Sequence, residues 1–500
     1  MNANKTTWRS ALASYLDRRA LSLLFLGFSA GLPLLLIFSS LSLWLREAGI
    51  DRGTVTLFSW AALAYSFKFV WAPLVDLLPL PWLTRYLGRR RSWLLLAQCL
   101  VMLSIIAMGA VDPAQPGSLL LMAIFAVFLG FSSASQDIVI DAYRIEVADV
   151  RMQSVLSACY TAGYRLGMIV AGAGALYLAT WYGAEEDSYN YMAWRYTYWT
   201  MSLFMLLGVS CTLLMPEPKV QREAQHWASR YYLHLVLVFV FLSCVFVISF
   251  YFLGVYLAPL ALTPLLHELV RIVVASLLVY IGARLAIRWH WLDTNLAKET
   301  WVEPATDFFF RYGKQALLIL ALVGLYRISD IVSGVISNVF YQDMGFSKNE
   351  IATAVKSVGV IVTILGGFIG GLLAQRYAIM TMLFVGGLLS CATNLLYVLL
   401  AYKGYDLFYL YVAVISDNLA AGLASAVFIA FLSALTSVRF TAVQYAIFSS
   451  LMTLFPKILG GYSGTMVNAM GYPTFFTLTA VMGLPVLFLI YLAAKRLPLE

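Results

Sequence analysis

The stretch "PLVDLLPLPWLTRYLGRRRSW" at positions 73–93 shows the pattern that organises the whole chain, which is apolar runs separated by short polar connections. An apolar run ends at Asp76, a proline-rich turn follows, and the basic block "GRRR" stands immediately before the next apolar run. Apolar runs of about 20 residues recur from end to end, and a helix of that length crosses the roughly 30 Å hydrocarbon layer of a bilayer. Because 62% of the 500 residues are hydrophobic and only 12% are charged, we predict an all-α protein that spans the membrane many times.

Breaks at glycine, proline and charge clusters divide the apolar runs into spans. We predict fourteen transmembrane helices in total. They cover 20–45, 54–79, 92–111, 117–143, 153–181, 193–215, 231–257, 260–288, 312–341, 349–374, 377–401, 406–436, 440–468 and 472–494.

The distribution of basic residues predicts the orientation of these spans. An even number of helices places both termini on one side of the membrane. Of the 33 Lys and Arg residues, only Arg46, Arg52, Arg195, Lys348 and Lys403 fall in connections on the other side. Cytoplasmic loops carry the excess of positive charge, so both termini are predicted to be cytoplasmic. The net charge of +8 has the same explanation, and no nucleic-acid partner is expected.

The two longest polar stretches, 216–230 and 290–307, indicate the domain organisation. They flank two helices, and removing that pair leaves six helices on each side. The predicted parts are a cytoplasmic N-terminus (1–19), a six-helix bundle (20–215), an insertion (216–311) with helices at 231–257 and 260–288, a second six-helix bundle (312–494) and a cytoplasmic C-terminus (495–500).

This six-plus-six layout resembles the major facilitator superfamily. The loop at 73–93 is similar to a short turn of that superfamily, in which an Asp at a helix end precedes a basic block, although here a proline-rich insert lengthens it. The segment "GGFIGGLLAQRY" (366–377) is similar to a second copy without the acid. We predict gating or structural roles for the residues of both copies, which are Asp76, Arg89, Arg90, Arg91, Gly367, Gly371 and Arg376.

Four further motifs resemble the AmpG-type muropeptide permeases of Gram-negative bacteria: "GFSAGLP" (27–33), "YSFKFVWAPLVD" (65–76), "SQDIVIDAYRIE" (135–146) and "PEPK" (216–219). The resemblance implies an inner-membrane importer that uses the proton gradient. Its implied cargo is GlcNAc-1,6-anhydroMurNAc, with or without peptide, which moves from periplasm to cytoplasm. The acetyl-CoA transporters of the same superfamily supply an alternative cargo. We expect a monomer with an anionic sugar-peptide, protons and lipids as partners, and neither a cofactor nor a metal.

Ionisable residues within apolar helices are energetically unfavourable and are functional candidates by default. Four predicted deep cations, Lys68, Arg165, Arg327 and Lys457, would attract the carboxylates of a muropeptide or the phosphates of acetyl-CoA. Arg165 could pair with Asp137 or Asp141, and Asp137 fits better because it is deeper.

Three acids, Asp137, Asp330 and Asp417, are the candidates for proton coupling, since burial and nearby cations shift the protonation of a carboxylate. Two structural alternatives remain open. Asp137, Asp141 and Arg144, the last expected at the membrane surface, would form a structural charge cluster that latches the cytoplasmic ends of the bundle. Asp417 and Lys457 would simply neutralise each other.

Aromatic residues next to these deep polar groups can stack on sugar rings or bond to hydroxyls. The candidates are Tyr65, Tyr160, Tyr164 and Tyr326, with core packing as the alternative for each.

The stretch "GFSAGLP" also matches the G-x-S-x-G pattern of a serine hydrolase. A nucleophile elbow needs a strand–turn–helix context, and here an apolar helical run continues on both sides. We therefore predict a transporter and not an enzyme. Ser29 is interpreted as a cavity-lining or helix-packing hydroxyl, and Ser29 and Gln136 complete the predicted substrate-binding residues.

Overall fold

The computed structural model describes residues 12–50, 54–55, 58, 61, 63–184, 189–219, 227–257, 264–460 and 462–496. Over these ranges the regular structure is helical and contains no β-strand, which confirms the all-α class. The helices of the N-terminal half are α1 Arg18–Ile37, α2 Ser39–Glu47, α3 Leu63–Phe67, α4 Ala72–Leu77, α5 Leu83–Leu87, α6 Arg89–Gly109, α7 Ser118–Val147, α8 Val150–Ile169, α9 Ala175–Trp181 and α10 Tyr191–Leu214.

The remaining helices follow in the same order along the chain. They are α11 Ser229–Leu257, α12 Pro264–Arg288, α13 Thr294–Ala297, α14 Glu303–Tyr312, and then, in the C-terminal half, α15 Ala316–Leu325, α16 Ile328–Asp343, α17 Lys348–Ile351, α18 Gly359–Arg376, α19 Ile379–Lys403, α20 Leu407–Leu435, α21 Thr441–Gly460, α22 Ser463–Met470 and α23 Tyr472–Arg496.

The chain forms two compact units. One contains Met1–Val75, Pro79–Val220 and Tyr312–Glu500, so both halves belong to it, and the other contains Asp76–Leu78 and Gln221–Arg311. In the second unit α11 and α12 pack together: Arg271 of α12 donates to the Phe250 carbonyl over 3.1 Å, and its guanidinium lies 3.9 Å from the centre of the Phe250 ring. The division into bundles and an insertion stays a prediction.

Thirteen helices of the described ranges are long and apolar enough to cross a membrane, and each overlaps one of the predicted spans. The fourteenth, 54–79, is not a continuous helix. Its described part includes α3, a 3₁₀ turn at Lys68–Val70 and α4, and residues 56–57, 59–60 and 62 lie outside the described residues. Pro73 has no N–H group to donate to a preceding carbonyl, so it cannot extend a helix that runs through Lys68. Proline does fit the first turn of a helix, and Pro73 lies in the first turn of α4.

The predicted helix 312–341 is also interrupted. It ends at Leu325 and restarts at Ile328, with Arg327 in a non-helical conformation between them. Tertiary contacts hold the preceding residue at this break: the Tyr326 ring stacks on Phe428 at 4.3 Å, and its hydroxyl donates to the Leu383 carbonyl over 3.1 Å. Two predicted deep cations, Lys68 and Arg327, therefore sit at helix interruptions.

The stretch "GFSAGLP" lies inside α1 and forms a close crossing with α8. A Cβ on Gly27 would stand 2.1 Å from the Tyr160 carbonyl oxygen, and one on Gly163 would stand 1.9 Å from the Leu24 carbonyl oxygen. Small residues four apart allow helix backbones to approach in this way, and Gly31 and Gly167 extend the contact on each helix. The motif therefore serves helix packing.

The C-terminal half has a comparable crossing between α18 and α20. A Cβ on Gly366 would stand 2.3 Å from the Leu419 carbonyl oxygen, and one on Gly422 would stand 2.1 Å from that of Thr363. The closest glycines are Gly366 and Gly370, one residue before the predicted Gly367 and Gly371. The glycine spacing was predicted, whereas the face of the helix that makes the crossing was not.

The basic block at the start of α6 is held by the "PEPK" segment. Gly88 has a φ of +84°, a conformation that glycine adopts readily. The carboxylate of Glu217 accepts the backbone N–H groups of Arg90 over 2.8 Å and Arg91 over 3.0 Å. An acidic group at a helix N-terminus binds the free N–H groups and stabilises the helix dipole, so two motifs that are far apart in sequence form one structural element.

Candidate functional site

Lys68 and Asp141 are the centre of a buried charge cluster in the N-terminal half. Lys68 Nζ lies 3.4 Å from Asp141 Oδ2, and Arg144 Nη2 lies 3.5 Å from Asp141 Oδ1. All three residues are buried. One carboxylate therefore forms ion pairs with two cations, in an interior where an unpaired charge would be strongly unfavourable.

The expected pairing of Arg165 with Asp137 or Asp141 is wrong. Within the described part of the chain Arg165 forms no ion pair, and Asp137 instead accepts a hydrogen bond from the Tyr160 hydroxyl over 3.3 Å. Asp141 forms its ion pairs with Lys68 and Arg144. The depth in the membrane, counted in residues along each predicted helix, is similar for these groups. Which side chains face each other is decided by the rotation of α7 and α8 about their axes.

Arg165 instead interacts electrostatically with a cation of the other half. It is half-buried, and the guanidiniums of Arg165 and Arg327 are close enough to interact electrostatically. Arg327 has a partial counter-ion in Asp330, with 3.7 Å between Nη2 and Oδ2. Two cations from different halves thus repel each other, and only Arg327 has a carboxylate within 4 Å among the described residues, an arrangement suited to an anion.

The tyrosines of the N-terminal half lie beside this cluster. The Tyr65 hydroxyl donates to Ser133 Oγ over 2.7 Å, and the rings of Tyr160 and Tyr164 are 6.0 Å apart. All three tyrosines are half-buried, so part of each remains available to a solute. Tyr326 differs from these three tyrosines, because it stacks on Phe428 and is a core residue. This position corresponds to the alternative of core packing and not to a substrate contact.

Asp417 is the acid of a polar cluster in the C-terminal half. Thr393 Oγ1 donates to its Oδ1 and the Tyr397 hydroxyl donates to its Oδ2, each over 3.2 Å. The alternative in which Asp417 and Lys457 neutralise each other is wrong, since the described residues contain no ion pair between them. Lys457 is exposed on α21 directly after Pro456, and its role stays a prediction.

Ser29 and Gln136 do not line a cavity in this conformation. Both are fully buried, Gln136 Nε2 donates to Ser29 Oγ over 3.2 Å, and Ser29 donates to the Leu26 carbonyl over 2.9 Å. A Cβ on Gly208 of α10 would come within 2.6 Å of Ser29 Oγ. The close packing of three helices, α1, α7 and α10, therefore excludes a solute, and the interpretation of these residues as substrate contacts is corrected to helix packing.

Two arginines join the halves at the end of the bundle where α1 begins. Arg144 is fully buried and not at a surface as expected, and its Nη1 donates to Ser433 Oγ over 2.7 Å while its guanidinium lies 5.0 Å from the centre of the Tyr445 ring. Arg90 Nη2 lies 2.5 Å from Glu146 Oε1 and donates to Thr441 Oγ1 over 2.8 Å.

Further contacts at this end involve the second glycine motif. Ser154 Oγ donates to the Gly371 carbonyl over 3.1 Å, and the Tyr15 hydroxyl donates to the Phe368 carbonyl over 2.7 Å. Gly371 therefore has a structural position between the halves. Gly367 is packed near Gly422 of α20.

The other predicted gating residues lie at helix ends. Asp76 is buried in α4, Arg89 and Arg376 are half-buried at the start of α6 and the end of α18, and Arg91 Nε donates to the Thr212 carbonyl over 2.9 Å. Their gating roles stay predictions.

Sequence reasoning missed the residues that complete the joined end. Glu146 belongs to the quoted motif "SQDIVIDAYRIE" but was not singled out, and its position next to "YR" was the available signal. Ser433, Thr441 and Tyr445 are ordinary polar residues of apolar helices, and nothing in the sequence distinguishes them.

Comparison with known proteins defines the class. Residues 23–296 match the family model of the Major Facilitator Superfamily. The superfamily transporter FucP in its outward conformation superposes with a TM-score of 0.62 over 96% of this chain and 99% of that one, at 11% identity. The proton:xylose symporter XylE bound to 6-bromo-6-deoxy-D-glucose gives a TM-score of 0.59 over 98% and 97%, at 12% identity. The chain is a multi-pass membrane transporter of the major facilitator superfamily.

Sequence relatives narrow this assignment. The chain is 31% identical to the anhydromuropeptide permease of Escherichia coli (strain K12), covering 96% of this chain and 80% of that protein. It is also 31% identical to the putative transporter AmpG 4 of Rickettsia conorii, covering 96% and 97%. Within the superfamily it belongs to the AmpG-type permeases, which are transporters of small molecules and not enzymes.

Proposed function

We propose that this chain is a proton-coupled secondary transporter that imports anhydromuropeptides from periplasm to cytoplasm for cell-wall recycling. The cargo is GlcNAc-1,6-anhydroMurNAc with or without peptide, the membrane is the bacterial inner membrane, and a monomer with both termini in the cytoplasm carries out transport. The similarity to the anhydromuropeptide permease supports the cargo, and the excess of basic residues on one side supports the orientation.

The observation that carries the proposal is the unneutralised charge of Arg165. It stands within electrostatic range of Arg327 and has no carboxylate partner among the described residues. A buried cation without a counter-ion is unfavourable, so an anionic cargo that binds between the two halves removes that penalty. Muropeptides supply several carboxylates, and the half-buried Tyr160 and Tyr164 supply surfaces for their sugar rings.

Alternating access follows from the position of the contacts between the halves. The two rocking bundles are residues 20–215 and 312–494. Arg144 and Arg90 hold these bundles together at the end where α1 begins. Release of these contacts exposes the central cations to the cytoplasm. Asp137, Asp330 and Asp417 are the groups whose protonation couples the change to the proton gradient.

The test is uptake of labelled anhydromuropeptide into bacterial cells that lack their own permease and express this chain. Expected results are uptake that a protonophore abolishes, and loss of at least about tenfold in Arg165→Ala. Arg151→Ala is the matched control, because Arg151 is exposed at the start of the same helix, and it should transport normally. Absence of uptake with verified membrane expression would refute the cargo.

Acetyl-CoA is the alternative anionic cargo, since its phosphates also need cations. Competition in proteoliposomes separates the two: excess unlabelled muropeptide should suppress labelled muropeptide uptake, and acetyl-CoA at the same concentration should not. Suppression by acetyl-CoA alone would favour the alternative.

A further inference from the structure

A chain of hydroxyl groups leads to Asp417 in the C-terminal half. The Tyr341 hydroxyl donates to the Tyr397 hydroxyl over 3.2 Å, and the Tyr397 hydroxyl donates to Asp417 Oδ2 over 3.2 Å. Each donor points toward the carboxylate. Three helices, α16, α19 and α20, supply one member each.

Tyr341, Tyr397 and Asp417 lie at increasing depth from the end of the protein opposite the start of α1, which we call the far end. Tyr341 lies two residues before α16 ends, Tyr397 six residues before α19 ends, and Asp417 ten residues after α20 begins. At 1.5 Å of rise per residue these positions are about 3, 9 and 15 Å from the helix ends. The hydroxyls therefore connect the far end of the C-terminal half with the depth of Asp417.

Aromatic rings enclose this chain of hydroxyls. The Tyr397 ring stacks on Phe476 at 5.2 Å, and Phe340 packs edge-on against Phe476 at 4.9 Å. Tyr341 is 1% exposed and Tyr397 is 4% exposed. With water excluded from the sides, the hydroxyls are the polar groups that connect the far end to the acid.

We propose that Tyr341 and Tyr397 are a proton relay that loads Asp417 from the far end. This inference rests on the proposed proton-coupled function. Once the far end opens to water, one concerted step follows: Tyr397 gives its proton to Asp417 Oδ2, Tyr341 gives its proton to the Tyr397 oxygen, and a hydronium ion gives a proton to the Tyr341 oxygen and leaves as water. One proton is transferred in total, both tyrosines end neutral, and Asp417 ends as the neutral acid.

The remaining neighbours of Asp417 have other functions. Thr393 lies four residues before Tyr397 on α19 and donates to the other oxygen, Oδ1, so it positions the carboxylate without leading to the far end. Arg327, at the break before α16, and Asp330, in the first turn of that helix, act electrostatically on Asp417. Tyr402, which also lies on α19, is 76% exposed, so Tyr402→Phe is a control that removes a tyrosine hydroxyl from this helix and leaves the relay and the hydrogen bonds of Asp417 in place.

The first test separates net proton transport from cargo exchange in proteoliposomes. Tyr397→Phe keeps the stacked ring and removes the hydroxyl, so gradient-driven uptake should fall at least about tenfold, because positioned proton transfer contributes about 10²–10⁴-fold. Counterflow with muropeptide on both sides at equal pH should stay within twofold. Tyr341→Phe should behave alike, and Tyr402→Phe, which removes an exposed tyrosine hydroxyl from the same helix as Tyr397, should retain both activities. Equal loss of both activities in Tyr397→Phe, or wild-type gradient-driven uptake, would overturn the relay.

The second test needs no cargo. Protonation of Asp417 is followed by the infrared carboxyl band that Asp417→Asn removes, after acidification outside the vesicles. Tyr397→Phe and Tyr341→Phe should slow its appearance at least about tenfold, and Tyr402→Phe should not. An unchanged rate in both tyrosine variants overturns the relay even if the wild type transports muropeptide. A slowed rate supports the relay even if muropeptide proves to be the wrong cargo.

Discussion

Arg144 of α7 and Ser433 of α20 connect the two halves of the chain through a hydrogen bond of 2.7 Å from Nη1 to Oγ. The same guanidinium donates to Gln153 over 3.0 Å and lies near Asp141, which also neutralises Lys68. A single carboxylate thus connects a cation proposed to bind cargo with a cation that holds the halves together. Changes of charge at Lys68 therefore have a direct route to the contact at Ser433.

Ser433→Ala should weaken the joined end without unfolding the protein, because Arg144 keeps Gln153 and Asp141. A hydrogen bond to a charged group contributes about 1.5–3 kcal/mol, so the ratio of joined to separated molecules should fall by roughly tenfold to a hundredfold. The measurement is the alkylation rate of Ser154→Cys, a buried position of this interface, in a variant without the five native cysteines. Ser425→Ala is the control, since Ser425 bonds within α20. Equal alkylation in Ser433→Ala and the parent would contradict the prediction.

Glu146→Gln should destabilise the protein strongly. It leaves the guanidinium of Arg90 buried without its carboxylate, and breaking a buried pair costs about 3–5 kcal/mol. The midpoint of thermal unfolding in detergent measures the effect. For comparison, Asp307→Asn breaks the partly exposed pair with Arg311 at 3.0 Å, and such i, i+4 pairs contribute about 0.3–0.5 kcal/mol. Similar shifts for both variants would show that the Arg90 pair is not desolvated.

Gly163→Ala should prevent correct packing of α1 on α8, because the added Cβ would stand 1.9 Å from the Leu24 carbonyl oxygen. We expect loss of monodisperse protein after solubilisation, measured by fluorescence-detected size-exclusion chromatography. Gly334→Ala is the control, since nothing lies within 4 Å of its added Cβ. Replacing glycine by alanine inside a helix is favourable by roughly 0.5–1 kcal/mol, so this variant should be as stable as the parent or more so.

Asp17→Asn should reveal a pH-dependent contribution at the start of α1. The side chain of Arg19, whose Nη2 lies 2.9 Å from Asp17 Oδ2, holds the pKa of Asp17 below its ordinary value. A lowered pKa in the folded protein means that the stabilisation is complete above the unfolded-state pKa of about 4 and is lost as the pH falls through the folded-state value. Asn still caps a helix, so the charge alone is tested, at about 0.3–1 kcal/mol.

The measurement for Asp17 is the difference in unfolding midpoint between the parent and Asp17→Asn from pH 7 to pH 3. The difference should be constant near neutrality and shrink below about pH 4. In the Arg19→Gln background it should be smaller throughout. A difference that grows on acidification would contradict the assigned partner.

The sequence predicted the spans because apolar length is a local property. Thirteen predicted spans overlap helices that are long and apolar enough to cross a membrane, although 312–341 breaks at Arg327. The remaining span, 54–79, is interrupted before Pro73, which has no N–H to continue a helix. The spacing of Gly27 and Gly31 also indicates close helix packing, whereas spacing alone does not identify the residues of α8 that pack against them.

The candidate site was predictable in residue types and not in pairings. Lys68, Arg165, Arg327 and the acids were found because charge inside an apolar run is conspicuous. The partners were not, since Asp137 and Asp141 differ by one helical turn and only the packing of α7 decides that Asp141 pairs with Lys68 and Arg144.

By itself the sequence determined the class of this protein, its spans and the set of buried charges, because hydrophobic length and the free energy of burying charge are set residue by residue. The tertiary structure alone decided which charges meet, that Ser29 is enclosed by three helices, that Arg144 and Arg90 join the halves, and that two tyrosines lead to Asp417. These relationships depend on helix rotation and on contacts between residues hundreds of positions apart, which no local pattern records.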